Sequence, residues 1–355
     1  MSGLKKKLEK AWFSVLLFGF ICIGVFRVFQ DPEKDLGRSG AKRQLKDTIT
    51  SDAYHRDKQV TKPMDADRRT FALSDHILFF NRVPKSGSEM LVLLLQWLQG
   101  LNGFRHVRLR GGEKRRLNLA EQEELVEEIV TREKEEAIPL SFDRHVHFIN
   151  FTKFDKQSPI YMNLVRDPVD RTISRFYYKR VTPNPNNPDV KRMKLDQKKV
   201  PMSKFTSFEE CVSHKDPECT FLSGYSYDLA IPYFCGQHHR CTILNDKWAF
   251  QRARENVEKY FPVVGVLEEL NSTLAVFEAK IPMFFKGVQN MYYHELLEPH
   301  RNANRMKPKT TSPFIRSHLK RQLLTEYDFY YWLKARILEQ ARDAEKATNL
   351  VPNHS

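Results

Sequence analysis

The sequence predicts an α/β fold in which a parallel sheet, organised around a phosphate-binding (P-loop-like) loop, is flanked by helices. Three observations carry this reading. A short apolar run, His76–Phe80, enters a polar turn, Asn81–Ser88, and leaves into a Leu-rich run, Met90–Leu98, suited to about three helical turns. A second strand-like run, Tyr161–Val165, also ends in a polar turn, ahead of a helical stretch over Arg171–Arg180. Elsewhere strand-like and helix-like stretches alternate, the order that yields parallel strands joined by helical crossovers.

Taken in order, the chain begins with a short tail, residues 1–11, containing Lys5, Lys6, Lys7 and Lys10. Residues 12–29 follow as a transmembrane signal-anchor. Trp12–Phe26 is free of charge, and Arg27 can snorkel from its end. Lysines before the span predict a cytosolic tail and a luminal remainder. No small-x-small cleavage site closes the apolar run, which separates it from a cleaved signal peptide. Residues 30–70 are polar and without apolar period, as a stem would be, and residues 71–355 form the catalytic domain. Within it, Arg105–Arg116 is a basic stretch. Asn118–Glu136 reads as an amphipathic helix with Leu119, Leu125, Ile129 and Val130 as its apolar positions. His145–Phe151 alternates like a strand, which would project His145 and His147 together. Residues 181–200 are Pro-, Asn- and Lys-rich and read as a loop. Trp248–Tyr260 is helical, Phe261–Val266 strand-like, and Leu270–Ile281 helical. Tyr292–Ser312 is basic and irregular, and Ser317–Ala344 closes the chain as one long helix.

Composition narrows the function. The chain has 355 residues, 41% hydrophobic and 12% aromatic, enough for a sizeable core. Its formal net charge of +14 points to an acidic partner: nucleic acid, a membrane surface or a polyanionic glycan. A luminal location excludes nucleic acid. Of five cysteines, Cys22 lies in the span. The other four, Cys211, Cys219, Cys235 and Cys241, suit two bridges in an oxidising lumen. Three connectivities exist, and proximity favours Cys211–Cys219 with Cys235–Cys241. Their spacings fit zinc poorly. Sequons at Asn150 and Asn271 agree with luminal exposure, and a third at Asn353 lies at the extreme C-terminus.

The chemistry concentrates in the two polar turns. In Lys85-Ser86-Gly87-Ser88-Glu89 a mobile cation and two hydroxyls stand at a helix N-terminus, where main-chain N–H groups favour an anion. This is not a Walker A loop, because the lysine precedes the glycine. No kinase motif set accompanies it. In Arg166-Asp-Pro-Val-Asp-Arg-Thr-Ile-Ser174, an arginine stands at a strand end with a serine eight residues on. Arg166 could instead pair with Asp167.

Strand-PKxGS-helix followed by strand-RDPxxRxxS resembles the two nucleotide-binding elements of the sulfotransferase superfamily. The ordered motifs NRVPKSGS, RHVHFINF, YMNLVRDPVDR, IPYFCGQHHRC and VVGVLEEL extend the resemblance over roughly residues 76–340. They are similar to the glycosaminoglycan 2-O-sulfotransferases, and RHVHF and IPYFCGQH to their uronyl and Pipe-like branch. The resemblance implies a sulfotransferase fold and a Golgi-membrane enzyme, single-pass type II. It implies PAPS as sulfate donor, PAP as product, no metal, and the 2-hydroxyl of a hexuronic acid in dermatan or chondroitin sulfate as acceptor. It also admits a homo-oligomer, since the family contains trimers. Pipe-like sulfation of secreted glycoproteins and a catalytically inactive glycan-binding relative are the alternatives.

By the same resemblance Lys85–Glu89 hold the 5′-phosphosulfate, while Arg166 and Ser174 hold the 3′-phosphate. Tyr292 falls near a nucleotide contact, and His145 at the catalytic base. Arg82, Arg180 and Arg301 fall near positions of acceptor contact. Asp143 stands where the heparan enzymes have a second histidine. Independently of family, transfer of a sulfuryl group needs a base for the sugar hydroxyl, and imidazole suits that task. It also needs a cation at the leaving oxygen, the role of Lys85. His147 is either an acceptor-orienting or a packing residue, and a two-histidine metal site lacks a third ligand.

Overall fold

The computed structural model describes residues 73–110, 114–180, 203–295 and 311–350. The expected tail, anchor and stem, the loop over 181–200, Cys22, Arg301 and Asn353 lie outside them. Among the described residues no helix is long and apolar enough to cross a membrane.

Five strands form one sheet: β1 (Ser74–Asn81), β2 (Arg105–Arg108), β3 (Leu140–Arg144), β4 (Pro159–Val165) and β5 (Val263–Val266). Their order is β2-β3-β1-β4-β5, and every pairing is parallel. β1 and β4 are near-continuous apolar runs because a parallel sheet is covered on both faces, while β3 buries Ser141 and Asp143 between its apolar residues. Phe79 lies opposite Phe142 on one side and Tyr161 on the other. All three are fully buried. Tyr161 also packs its ring 5.1 Å from that of Phe261, and its hydroxyl donates to the Ile149 carbonyl at 2.8 Å.

The crossovers are helical. After β1 comes α1 (Ser88–Asn102), whose buried face is Met90, Leu91, Leu94, Leu95 and Leu98. After β2 comes α2 (Leu119–Glu136), opened by a capping box in which Asn118 and Glu121 satisfy each other's main-chain N–H groups. Leu125 and Ile129 face the core as expected and Val126 joins them, but Leu119 is exposed. After β4 comes α3 (Pro168–Arg180). A short helix α4 (Phe208–Ser213), a turn at Pro232–Cys235 and α5 (Lys247–Tyr260) lead to β5. The turn and α4 carry the bridges Cys235–Cys241 and Cys211–Cys219, closing loops of 6 and 8 residues.

After β5, α6 (Leu270–Lys280) packs back at very close range. A Cβ on Gly265 would overlap the Thr273 methyl and lie 3.0 Å from a Leu164 methyl. The Thr273 hydroxyl exchanges hydrogen bonds with the main chain of Val266 at 3.0 and 3.1 Å.

Two expectations need correction. The strand predicted over His145–Phe151 ends before it begins, because β3 stops at Arg144. Beyond it the main chain is held by a loop and side chains instead of a ladder. The His147 N–H donates to the Arg115 carbonyl at 3.0 Å, and Gln237 donates to the His147 carbonyl at 2.8 Å. The single C-terminal helix is in fact two, α7 (Pro313–Gln322) and α8 (Leu324–Leu350). Asn245 makes the break. Its amide donates to the Gln322 carbonyl at 2.9 Å, and its oxygen accepts from the Thr325 N–H at 3.1 Å. One side chain thus closes α7 and opens α8.

Candidate active site

Ligands in open parallel sheets bind beyond the carboxyl ends of the strands, and three of those ends meet here. β1 runs into the loop Arg82–Gly87, β3 into His145, and β4 into Arg166. The main chain joins the first two. The Arg82 N–H donates to the Arg144 carbonyl at 2.9 Å, and Nδ1 of His145 lies 2.8 Å from the Arg82 carbonyl. A carbonyl oxygen only accepts, so Nδ1 carries the proton and Nε2 keeps its lone pair. Burial, and then the charge of Arg82, push the imidazole from 6.5 down to about 4. At neutral pH His145 is therefore an uncharged base with a fixed tautomer.

The loop has the form of an anion cradle. Lys85 and Gly87 both adopt left-handed backbone, with φ of 66° and 84°. For lysine that conformation is uncommon. A side chain at residue 87 would also meet the Leu267 side chain at 2.9 Å. The main-chain N–H groups of Lys85, Ser86, Gly87 and Ser88 donate to no other described residue. The Ser86 hydroxyl and Nε of Arg166 are buried without a hydrogen-bond partner among the described residues. Such orphaned donors around a helix N-terminus fit phosphate or sulfate oxygens. The Lys85 ammonium sits 3.4 Å from the ring centroid of Tyr178, on α3. Burial and then Arg166 lower its pKa from 10.5 to about 8, with Glu89 acting the other way.

Arg166 makes a long contact, 3.5 Å, to the Lys85 carbonyl. Asp167 instead accepts from the Tyr327 hydroxyl at 3.1 Å, and its N–H donates to Glu268 at 3.1 Å. The ion pair with Asp167 that the sequence left open for Arg166 is not formed among the described residues. Ser174 is buried on α3, two turns beyond the strand end. Glu89 belongs to a charge network: burial opposes its ionisation, but Arg82 at 2.6 Å and Arg108 at 2.8 Å hold it at about 2.

Other expected site residues are placed elsewhere or otherwise engaged. Arg82 is buried, with Nε 2.8 Å from Asp143, itself fully buried and 3.0 Å from His106. Arg180 lies across the Phe176 ring, pairs with Glu218 at 2.8 Å, and donates to the carbonyls of Phe205 and Ser203. His147, expected to share a face with His145, turns into the core and packs edge-on against Tyr233, centroids 5.1 Å apart. Tyr292 is partly buried in a π-helical turn, Met291–Glu295, beside Tyr293. Asn150 caps the turn Phe151–Phe154, and Asn271 is exposed and accepts from the Tyr293 hydroxyl. Among the described residues no group of three or more metal-ligating side chains is assembled.

Arg175, inside an ordinary helix, and Asp228 carry no signal in the sequence, and Arg115 is marked only as part of a basic stretch. No local signal pairs either arginine with an aspartate so far along the chain.

Comparison with known proteins agrees with this geometry. The model of the sulfotransferase family matches residues 68–332. Human uronyl 2-sulfotransferase is 36% identical over 261 residues, covering 72% of this chain and 61% of its own length. The Drosophila melanogaster uronyl 2-sulfotransferase homolog pip is 35% identical over 276 residues, 74% of this chain and 52% of its own. Xenopus laevis heparan sulfate 2-O-sulfotransferase 1 is 29% identical over 286 residues, 79% and 74% respectively. The chain thus spans less than two thirds of the length of the uronyl-type relatives.

Proposed function

Because this chain belongs to the sulfotransferase family, we propose that it transfers the sulfuryl group of PAPS to the 2-hydroxyl of a hexuronic acid in a glycosaminoglycan, of the dermatan or chondroitin type. The observation that carries the reading is the link between base and cradle. His145 is held on the carbonyl of Arg82, three residues before Lys85, with Nε2 left free. In this scheme Nε2 takes the proton of the attacking hydroxyl as the oxygen–sulfur bond forms. The sulfur–oxygen bond to the nucleotide phosphate breaks on the opposite side, and Lys85 with the loop N–H groups receives the charge that grows there. Arg166 and Ser174 hold the nucleotide's 3′-phosphate, and Ser86 has a hydroxyl to offer the phosphosulfate.

The acceptor and the location rest on different support. Uronyl-type relatives at 35 and 36% identity favour a uronate. The charge-free run Trp12–Phe26 behind four lysines favours a type II anchor, and bridged cysteines suit a Golgi lumen. The test is incubation of the full-length protein with labelled PAPS and defined glycans, followed by disaccharide analysis. Label in 2-O-sulfated uronate supports the proposal. Label confined to secreted glycoproteins would support the Pipe-like acceptor, and no transfer to any glycan would leave a binding protein.

A further inference from the structure

Three arginines converge on one aspartate beside the proposed base, two on its carboxylate and one on its main chain. Arg115 forms an ion pair with Oδ2 of Asp228, and Nη1 of Arg175 lies 3.5 Å from the same oxygen. Arg171 and Arg175 each donate to the Asp228 main-chain carbonyl at 3.1 Å. Arg171 is buried and also donates to the Pro84 carbonyl at 2.9 Å, next to Lys85. The Arg115 carbonyl accepts from the His147 N–H at 3.0 Å, two residues past His145. The cluster therefore lies between the cradle and the base.

Its charge does not balance. Three guanidinium groups share Asp228 and, on the buried side beside Arg171, Glu326, so the cluster keeps an excess positive charge. The side chains of Arg115 and Arg175 stay 27% and 38% exposed, so solutes reach them. By contrast, Arg82 and Arg180, the arginines the sequence suggested for the acceptor, are held by internal partners. Under the exposed guanidinium groups, His147 and Tyr233 face Asp228, with Nε2 of His147 3.9 Å from Oδ1, longer than a hydrogen bond, and Nε of Arg115 is buried beside them. This polar floor holds Asp228 from below, and the exposed sides of the Arg115 and Arg175 guanidinium groups are left for a hydrated ligand.

We infer that Arg115 and Arg175, clamped by Asp228, form an anion subsite that binds the carboxylate of the acceptor's hexuronic acid. This rests on the acceptor reading proposed above. The carboxylate is preferred to a hexosamine sulfate because a uronate presenting its hydroxyl to His145 carries that anion on the same ring. Guanidinium forks suit a carboxylate, and two of them in a partly desolvated site bind it well beyond simple screening. Asp228 keeps the two forks apart and oriented, so that added charge does not splay them.

The test uses the full-length protein, its Arg115→Gln and Arg175→Gln variants, and dermatan oligosaccharides with native or chemically reduced carboxyl groups. Calorimetry with PAP present measures oligosaccharide affinity, and PAP affinity alone reports an intact fold. Each variant is expected to lose about tenfold in affinity for the native oligosaccharide and nothing for the reduced one. Unchanged affinity for the native oligosaccharide, equal loss on both, or a wild-type protein indifferent to reduction would overturn the inference. Equal loss on both would point to a hexosamine sulfate. Should Arg115→Gln fail to fold, the more exposed Arg175→Gln decides alone. Carboxylate-dependent binding without sulfation would remove the proposed function and leave the subsite standing.

Discussion

The sharpest consequence of the site concerns the protonation of His145. In the folded protein its pKa lies at about 4 instead of 6.5. At about 1.36 kcal/mol per unit, the folded state disfavours the charged imidazole by roughly 3 kcal/mol. Between pH 6.5 and 4 the unfolded chain holds a proton at this residue that the folded chain does not. Stability from neutral His145 is therefore complete above pH 6.5 and is lost as pH falls towards 4. His145→Gln has no such titration. In urea denaturation at pH 7 and pH 4.5, wild type should lose about 2–3 kcal/mol more than the variant. The same desolvation should appear in turnover, with the acid limb of kcat/KM, which reports the free enzyme, near 4. The limb of kcat should lie higher, because bound anions favour imidazolium. An acid limb of kcat/KM at the ordinary histidine value, or parallel stability losses in the two proteins, would refute the reasoning.

Lys85→Ala should reduce turnover on the order of 10²–10³-fold, as for loss of one group at a developing charge, while circular dichroism stays unchanged. Tyr178 holds the Lys85 ammonium over its ring, so Tyr178→Leu should move the alkaline limb of kcat/KM below the wild-type value near 8. Tyr178→Phe keeps the ring and should leave that limb in place. Asp143→Ala strands the buried Arg82 guanidinium and should cost about 3–5 kcal/mol in denaturant unfolding. A cost below about 1 kcal/mol would mean that Glu89 suffices for Arg82.

Much of the fold is legible because its signals are local. The runs His76–Phe80 and Tyr161–Val165 are apolar because they are covered on both faces, and each ends in polar residues where the sheet ends. The misreading at His145–Phe151 has an instructive cause. The letters alternate, but Val146, His147, Phe148 and Ile149 are buried one after another. The segment's main chain bonds to Arg115 and Gln237 in place of a neighbouring strand, and the alternation of the letters does not reveal that. The C-terminal break at Leu323 was hidden because its agent, Asn245, lies 78 residues earlier. The arginines show the same limit. Whether Arg82 or Arg115 faces solvent depends on Asp143 and Asp228, and only tertiary structure reveals which aspartate meets which arginine.

Gly265 works as a spacer gauge. The thickness of the layer between β5 and α6 is set there by the width of a hydrogen atom. A methyl group would overlap the Thr273 methyl and force helix and strand apart by about an ångström, a strain of about 1–3 kcal/mol in a packed interior. The displacement would not stay local. Three residues on, Glu268 grips the main-chain N–H of Asp167 and also takes the Tyr330 hydroxyl from α8 at 3.1 Å. Asp167 in turn fixes the turn that aims Arg166. The aim of Arg166, the proposed nucleotide end of the site, is thus delegated to a residue remote from it. A lesion there would masquerade as a donor-affinity defect, worsening with temperature.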